Sequence, residues 1–354
     1  MALNRFDKRL ERLPSAIWAK VAKIEELKGQ WIGGTRLSPQ ILGRLKRSVL
    51  VTSTGASTRI EGAHLSDGDV EKLIRGIAIQ KFADRDKQEV RGCFELLQNV
   101  FDAYEHIRFS ERSVKHLHKE LLKYVEKDKR HLGEYKKSEN AVQMLDASGK
   151  AVGTVFETTP AYLTPKEMRE LVEWTAAALR EHKFHPLLVV GNFLVEFLNI
   201  HPFQDGNGRL SRILTNLLML KEGYLYMPYV SQEKLIEDKK TEYYLALRKS
   251  QRTFKKESGG DVAPWLDYFL DVVYEQSKTA VNLLSQEGIE QVLSSKQLAV
   301  WEALQQVEEA TAGTITKMSK VARPTVNQAL EKLLRMGRIQ RLGLGRSTRY
   351  RRTQ

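Results

Sequence analysis

The chain has 354 residues, of which 42% are hydrophobic, and a formal net charge of +13, so it can bury a substantial core and divide into two or three units. Its single cysteine, Cys93, excludes an intrachain disulfide and suits a reducing cytoplasm. The charged start, Met1 to Arg12, lacks the apolar stretch of a secretory signal, and the most apolar run, Pro186 to Ile200, is too short to span a bilayer and contains Asn192, Glu196 and Asn199, which predicts a cytoplasmic protein with no membrane partner.

Periodic apolar positions opposite charged faces predict helices over 14–28, 39–61, 67–80, 86–105, 110–126, 164–182, 186–200 and 207–222. Ser38 before Pro39 and Thr164 before Pro165 read as N-caps followed by a proline in the first turn. The helix over 39–61 ends at Glu61, where Gly62 suits a left-handed cap. Asp84 to Glu89 reads as a solvated helix start. From Gly133 through Tyr135, Lys136, Ser138 and Asn140 to Val142, and again up to Val155, Phe156 and Pro160, the chain reads as an extended hairpin that turns at Asp146, Ser148 and Gly149. Beyond a loop over 223–228 comes a helix over 234–250 with Tyr243 and Tyr244, then a loop over 255–260, a linker helix from Pro264 to Leu284, and a joint from Ser285 to Gly288. No internal repeat or low-complexity tract interrupts this order.

The chemistry concentrates in the twelve residues from His201 to Arg212, which run His-Pro-Phe-Gln-Asp-Gly-Asn-Gly-Arg-Leu-Ser-Arg. Gly206 and Gly208 flank Asn207 and let backbone N–H groups approach an anion, and the apolar spacing of Leu210, Ile213, Leu214, Leu217 and Leu218 says that they open a helix. Arg209 and Arg212 lie three residues apart on that helix, so they share a face and suit successive phosphates. Asp205 stands just outside the cradle, where it suits a Mg2+ that bridges phosphates. Pro202 makes His201 leave the preceding helix in an extended conformation, with its ring free to act as general base toward a hydroxyl.

At every defined position this run matches His-Pro-Phe-x-Asp/Glu-Gly-Asn-Gly-Arg-x-x-Arg, and so resembles the signature of the Fic family, whose members mostly transfer AMP from ATP to a Ser, Thr or Tyr hydroxyl of a target protein. The resemblance implies a nucleotidyltransferase, a protein adenylyltransferase that also labels itself, with a mainly α fold: a helical Fic core with a small β-hairpin flap and an appended C-terminal domain. It implies His201 as base, Asp205 as Mg2+ ligand, Gly206, Asn207 and Gly208 as anion hole, Phe203 as buried anchor, Arg209 as phosphate ligand and Arg212 as partner of the γ-phosphate. Doc-type toxins, which phosphorylate their target, carry Lys where this chain has Gly208, so the glycine favours AMP transfer. Upstream, Ser57-Thr-Arg-Ile-Glu61-Gly62 resembles the family's inhibitory motif, which implies that Glu61 pairs with Arg212 and holds ATP in a non-productive pose. The hairpin resembles the family's flap, which implies that Ala141, Val142, Val155 and Phe156 dock the target segment by main-chain hydrogen bonds. Relatives usually carry Arg at the position of Lys136 and a Pro-Pro pair near Pro160, and both features are altered here. The first aromatic of a pair like Tyr243-Tyr244 touches the nucleotide in relatives, which implies that role for Tyr243; packing at helical spacing accounts for it equally well.

Residues 311–354 hold 11 of the 57 Lys and Arg but only 1 of the 44 Asp and Glu, a net of +10 that leaves +3 for everything before. Leu298, Trp301, Leu304 and Val307 mark one helix, Thr314 to Val321 a second and Arg323 to Met336 a third, before a hairpin over Ile339 to Leu342 and Ser347 to Arg351. Three helices and a basic hairpin resemble a winged helix-turn-helix, in which Thr325, Asn327, Gln328 and Arg335 would face DNA and Arg346, Arg349, Arg351 and Arg352 would form the wing. Such modules also serve packing, dimerisation or target docking, so DNA and a second copy of the chain both stay open as partners. The resulting division is an N-terminal helical region over 1–110 with its inhibitory helix at about 39–62, a Fic core over 111–255, a helical linker over 256–290 and a winged helix-turn-helix over 291–354. Two alternatives stand beside the transferase. The same site could hydrolyse AMP from a modified target, with Glu61 positioning water, or the protein could be a DNA-bound regulator whose core senses nucleotide.

Overall fold

A computed structural model of the chain describes residues 4–34, 37–76, 85–126, 130–145, 151–254, 260–290, 293–343 and 348–353. They form two compact units, Met1–Val281 and Asn282–Gln354. The first unit is built from α1 (Arg5–Glu11), α2 (Ser15–Gly34), α3 (Pro39–Ile60), α4 (Asp67–Gly76), α5 (Arg85–Ala103), α6 (Glu111–Leu122), the antiparallel strands β1 (Ala141–Leu145) and β2 (Ala151–Glu157), α7 (Thr164–Glu181), α8 (Pro186–Ile200), α9 (Asn207–Lys221), α10 (Gln232–Asp238) and α11 (Lys240–Gln251), with α12 (Ala263–Glu290) running across the boundary. No helix among the described residues is long and apolar enough to cross a membrane.

The apolar run over 186–200 becomes α8, buried at every position from Leu187 to Leu198, because it is hydrophobic all round and lies between neighbours. It packs against α7, α9 and α11, while α3, α5 and α6 pack around α9. The signature helix α9 is therefore central, and its polar residues Asn207, Arg209, Ser211, Arg212, Thr215 and Asn216 are buried along with its leucines.

Several expectations need correction. Thr164 is the first residue of α7 rather than its cap, and its hydroxyl donates to the Pro160 carbonyl at 3.1 Å. Ser38 does cap α3 by accepting from the Ile41 amide. The helix over 234–250 is two helices, since Lys239 departs from helical geometry at φ −118°, ψ 35°; Ser231 caps α10, which lies against α3. No glycine or proline marks that break. The joint over 285–288 is absent, because the backbone stays helical to Glu290. The turn over 146–149, Asp84, the loop over 255–259 and Arg346 lie outside the described residues. At the N-terminus α1, capped by Asn4, was not foreseen. It buries Phe6 against Trp174 at a ring distance of 5.1 Å and pairs Arg9 with Glu196 of α8 at 2.7 Å.

The second unit holds α13 (Ser295–Gln305), β3 (Glu309–Thr311), α14 (Ala312–Ser319), α15 (Arg323–Arg335), β4 (Ile339–Leu342) and β5 (Arg349–Arg352), with an antiparallel sheet in the order β3-β5-β4. Val300, Trp301, Leu304, Ile315, Val326, Leu330, Leu333 and Ile339 form its core. Strand β3 adds a third member to the expected hairpin, and its Glu309 pairs with Arg349 at 2.9 Å and with Arg351 at 3.2 Å. Those two arginines are thus partly neutralised rather than simply presented to solvent.

Candidate active site

Helix α8 ends at His201, whose amide donates to the Phe197 carbonyl at 2.9 Å. Its backbone is left-handed, φ 51° and ψ 61°, rather than extended. Pro202 disfavours only the right-handed helical region for the residue before it, and the left-handed turn caps the helix while redirecting the chain. Phe203 is buried and stacks on the His118 ring at a centroid distance of 3.8 Å. Burial, with Lys136 as the next contribution, holds the His201 imidazole down to about 4, so it is neutral at pH 7 and able to accept a proton.

The loop closes through Asn207, whose side chain accepts from the Phe203 amide at 2.9 Å and donates to the Phe203 carbonyl at 2.8 Å. Gly206 then takes φ +79° and opens α9 with no side-chain cap. The first turn of α9 therefore points uncapped amides toward any anion placed there. Glu61 fills part of that space, since a Cβ added at Gly208 would lie 2.1 Å from Glu61 Oε1. Arg212 donates through Nη2 to Glu61 Oε1 at 2.8 Å and to the Ser57 carbonyl at 2.7 Å, and through Nε to Ser57 Oγ at 2.8 Å. Ser57 in the last turn of α3 and Glu61 at its C-terminal cap thus grip one guanidinium, and Gly62 follows at φ +102°.

Arg209 turns to other partners. Its Nη1 lies 2.7 Å from Glu89 Oε2 and its Nη2 3.3 Å from Asp205 Oδ1. Arg85 pairs with both Glu89 and Asp205, so the described part of the segment read as a solvated helix start, 85–89, faces the signature. Burial opposes ionisation of Asp205, but Arg209 foremost, then the Gly206 amide and Arg85, hold its carboxyl below the usual range.

His118 was missed, although it sits on the apolar face of the predicted helix with Val114, Leu117 and Leu121. The Gly133 amide donates to its Nδ1 at 3.0 Å, which leaves Nε2–H to donate to the Asp205 carbonyl at 3.0 Å. Burial pushes its pKa down to about 4. His118 is a neutral bridge under the loop.

Tyr243 is buried behind Arg212, packed edge-on against Tyr244, Trp265 and Tyr268, and lines a small cleft with Arg212. Strands β1 and β2 pair Ala141 with Glu157 and Val142 with Phe156, with irregularities after Val142 and Met144. An ionised carboxylate beside an uncapped helix start fits a Mg2+ that takes its other ligands from phosphate and water. Among the described residues no group of three or more His, Cys, Asp or Glu could hold a metal by itself.

The model of the Fic/DOC family matches residues 108–219. A probable protein adenylyltransferase of Aquifex aeolicus is 36% identical over 87 residues, 24% of this chain and 25% of that protein. A Fido domain-containing protein of Dictyostelium discoideum is 33% identical over 110 residues, 29% of this chain and 70% of that one. The chain thus spans about a quarter of the first relative and over two thirds of the second. The crystal structure of a Fic family protein from Desulfovibrio desulfuricans shares the fold, with a TM-score of 0.63 at 23% identity over 97% of this chain and 98% of that one.

Proposed function

The chain belongs to the Fic/DOC family, and we propose that it is a protein adenylyltransferase that moves AMP from ATP to a Ser, Thr or Tyr hydroxyl of a target protein and of itself, restrained by Glu61. The observation that carries this reading is the uncapped first turn of α9, set between a neutral imidazole at His201 and a buried guanidinium at Arg212.

The α9 amides would cradle phosphate, and Arg212 would take the γ-phosphate once Glu61 leaves it. The His201 imidazole accepts the hydroxyl proton as that oxygen bonds to the α-phosphorus; the bond from the α-phosphorus to the pyrophosphate oxygen breaks and pyrophosphate leaves. Proton transfer of this kind typically contributes ~10² to 10⁴ in rate. Asp205 would hold Mg2+, whose positive charge offsets that of the phosphates when bound. The Glu61–Arg212 pair competes with the γ-phosphate for one guanidinium, and a hundredfold restraint requires ~2.8 kcal/mol in favour of the closed pair.

The test is α-labelled ATP with the wild type, Glu61→Gly and His201→Ala. Weak self-labelling is expected from the first, strong from the second and none from the third. Equal labelling by wild type and Glu61→Gly would remove the restraint but leave the transferase intact. Labelling by a His201→Ala/Glu61→Gly protein as strong as by Glu61→Gly would remove the base.

A second reading applies to the second unit, which we take as a winged helix-turn-helix that binds DNA. Asn327, Gln328 and Arg335 are exposed on α15 while Val326, Leu330 and Leu333 face the core, as a groove-reading helix requires. DNA affinity should fall steeply as salt rises, and affinity that is flat or absent at low salt excludes it.

A further inference from the structure

His201 holds a left-handed backbone without being glycine or asparagine, a conformation that is disfavoured for such a residue and persists where its surroundings enforce it. The enforcement comes from five residues upstream of β1. Lys136 Nζ donates to the Ile200 carbonyl at 3.1 Å, and the Lys136 amide donates to the Pro202 carbonyl at 2.9 Å. Asn140 Nδ2 donates to the His201 carbonyl at 3.3 Å and to the Phe203 carbonyl at 2.9 Å. Four successive carbonyls, 200 to 203, are therefore each held by Lys136 or Asn140, with Asn207 Nδ2 sharing the Phe203 carbonyl. The lysine's remaining donors go to Asn140 Oδ1 at 2.7 Å and Thr158 Oγ1 at 2.8 Å, so the ammonium has an acceptor for each N–H inside the protein.

We propose that Lys136, acting through Asn140, is a positioning residue for AMP transfer: it fixes the loop that aims the His201 imidazole and does not itself bind the target. This rests on the transferase reading above. It also gives a role to a side chain whose departure from the family's arginine bears, by resemblance, on target docking; the Lys136 side chain is buried against the catalytic loop. An arginine could span the same acceptors, whereas an apolar side chain of similar length takes the donor from the Ile200 carbonyl and Thr158 Oγ1 and leaves Asn140 Oδ1 with Thr158 alone among its side-chain donors here. A positively charged Lys136 also opposes protonation of His201, with Glu61 and Asp205 acting the other way.

The experiment places Lys136→Met, Lys136→Arg and Asn140→Ala in the full chain carrying Glu61→Gly, and measures single-turnover transfer, nucleotide Kd and thermal midpoint. Misaligning a reacting group by about 1 Å can cost ~100-fold, so Lys136→Met should lose ~10- to 100-fold in transfer rate with Kd within about threefold of the parent, and Lys136→Arg should recover most of the loss. Asn140→Ala, which frees the His201 carbonyl, leaves the Phe203 carbonyl to Asn207 and removes one acceptor from the Lys136 ammonium, should fall between and covers the case in which Lys136→Met does not fold. Parent-like transfer by Asn140→Ala or Lys136→Met, a rate loss matched by an equal loss of nucleotide binding, or an arginine variant no better than methionine each overturns the proposal. A Glu61→Gly parent that transfers nothing sinks the transferase reading, and this inference with it.

Discussion

Two buried arginines of the first unit meet glutamates with nearly the same geometry, 2.7 Å for Arg9–Glu196 and 2.8 Å for Arg212–Glu61, yet the pairs differ in kind. Side-chain exposure is 2% and 4% in the first, but 3% and 33% in the second. In the first pair both charges are sealed between α1 and α8, so separating them strands a charge in apolar surroundings. In the second only the guanidinium is sealed. It would keep the Ser57 hydroxyl and carbonyl as acceptors if the partly exposed carboxylate at the end of α3 turned toward water. Distance therefore does not tell a fixed bond from a replaceable one; the solvent access of the partner does.

The largest effect should come from breaking the sealed pair. Arg9→Met leaves Glu196 with Arg5, 3.6 Å away, as its remaining cationic partner among the described residues, and should cost ~3 to 5 kcal/mol in urea unfolding, the usual penalty for breaking a buried ion pair. A loss below about 1 kcal/mol would erase the distinction between the pairs. Next is Glu61→Gly, which should raise self-labelling ~100-fold while lowering stability by no more than the ~2.8 kcal/mol preference for the closed pair. A stability loss as large as that of Arg9→Met would mean that this contact is structural. The smallest effect concerns pH. Because burial holds His201 down to about 4, its base form persists well below the ordinary imidazole range, and activity is lost only as pH falls through the folded pKa. For Glu61→Gly, kcat/KM, which reports the free enzyme, should stay flat from pH 8 to about 5 and fall below that. Removing Glu61 also takes away a charge that raises the imidazole, so an acid limb near 6.5 would show that His201 is solvated in the free protein.

Much of the cradle was legible because it is local. Two glycines around Asn207 followed by helical apolar spacing require a loop that opens a helix, whatever packs against it. The bounds of α7, α8 and α9 fell within a residue of expectation because their ends carry prolines, glycines or a change of periodicity. The break at Lys239 and the α1 helix carried no such mark. The pattern of α6 pointed His118 inward but could not name Gly133 and the Asp205 carbonyl as its partners. The charged segment at the start of α5 looked like any solvated helix start, although Arg85 and Glu89 end on Asp205 and Arg209.

The sequence by itself determined the helical class, the order of the elements and the chemical kinds of groups that meet at the loop, since these depend on residue types a few positions apart. Only the tertiary structure decided which charges find each other across 120 to 190 residues, that His201 turns left-handed, and that Lys136 lies beneath the loop between α8 and α9. Such pairings are fixed by how α3, α5 and α6 pack on α9 and how the segment before β1 crosses the end of α8. Burial then decides which contacts are permanent, and burial is a property of the assembled fold that no spacing along the chain encodes.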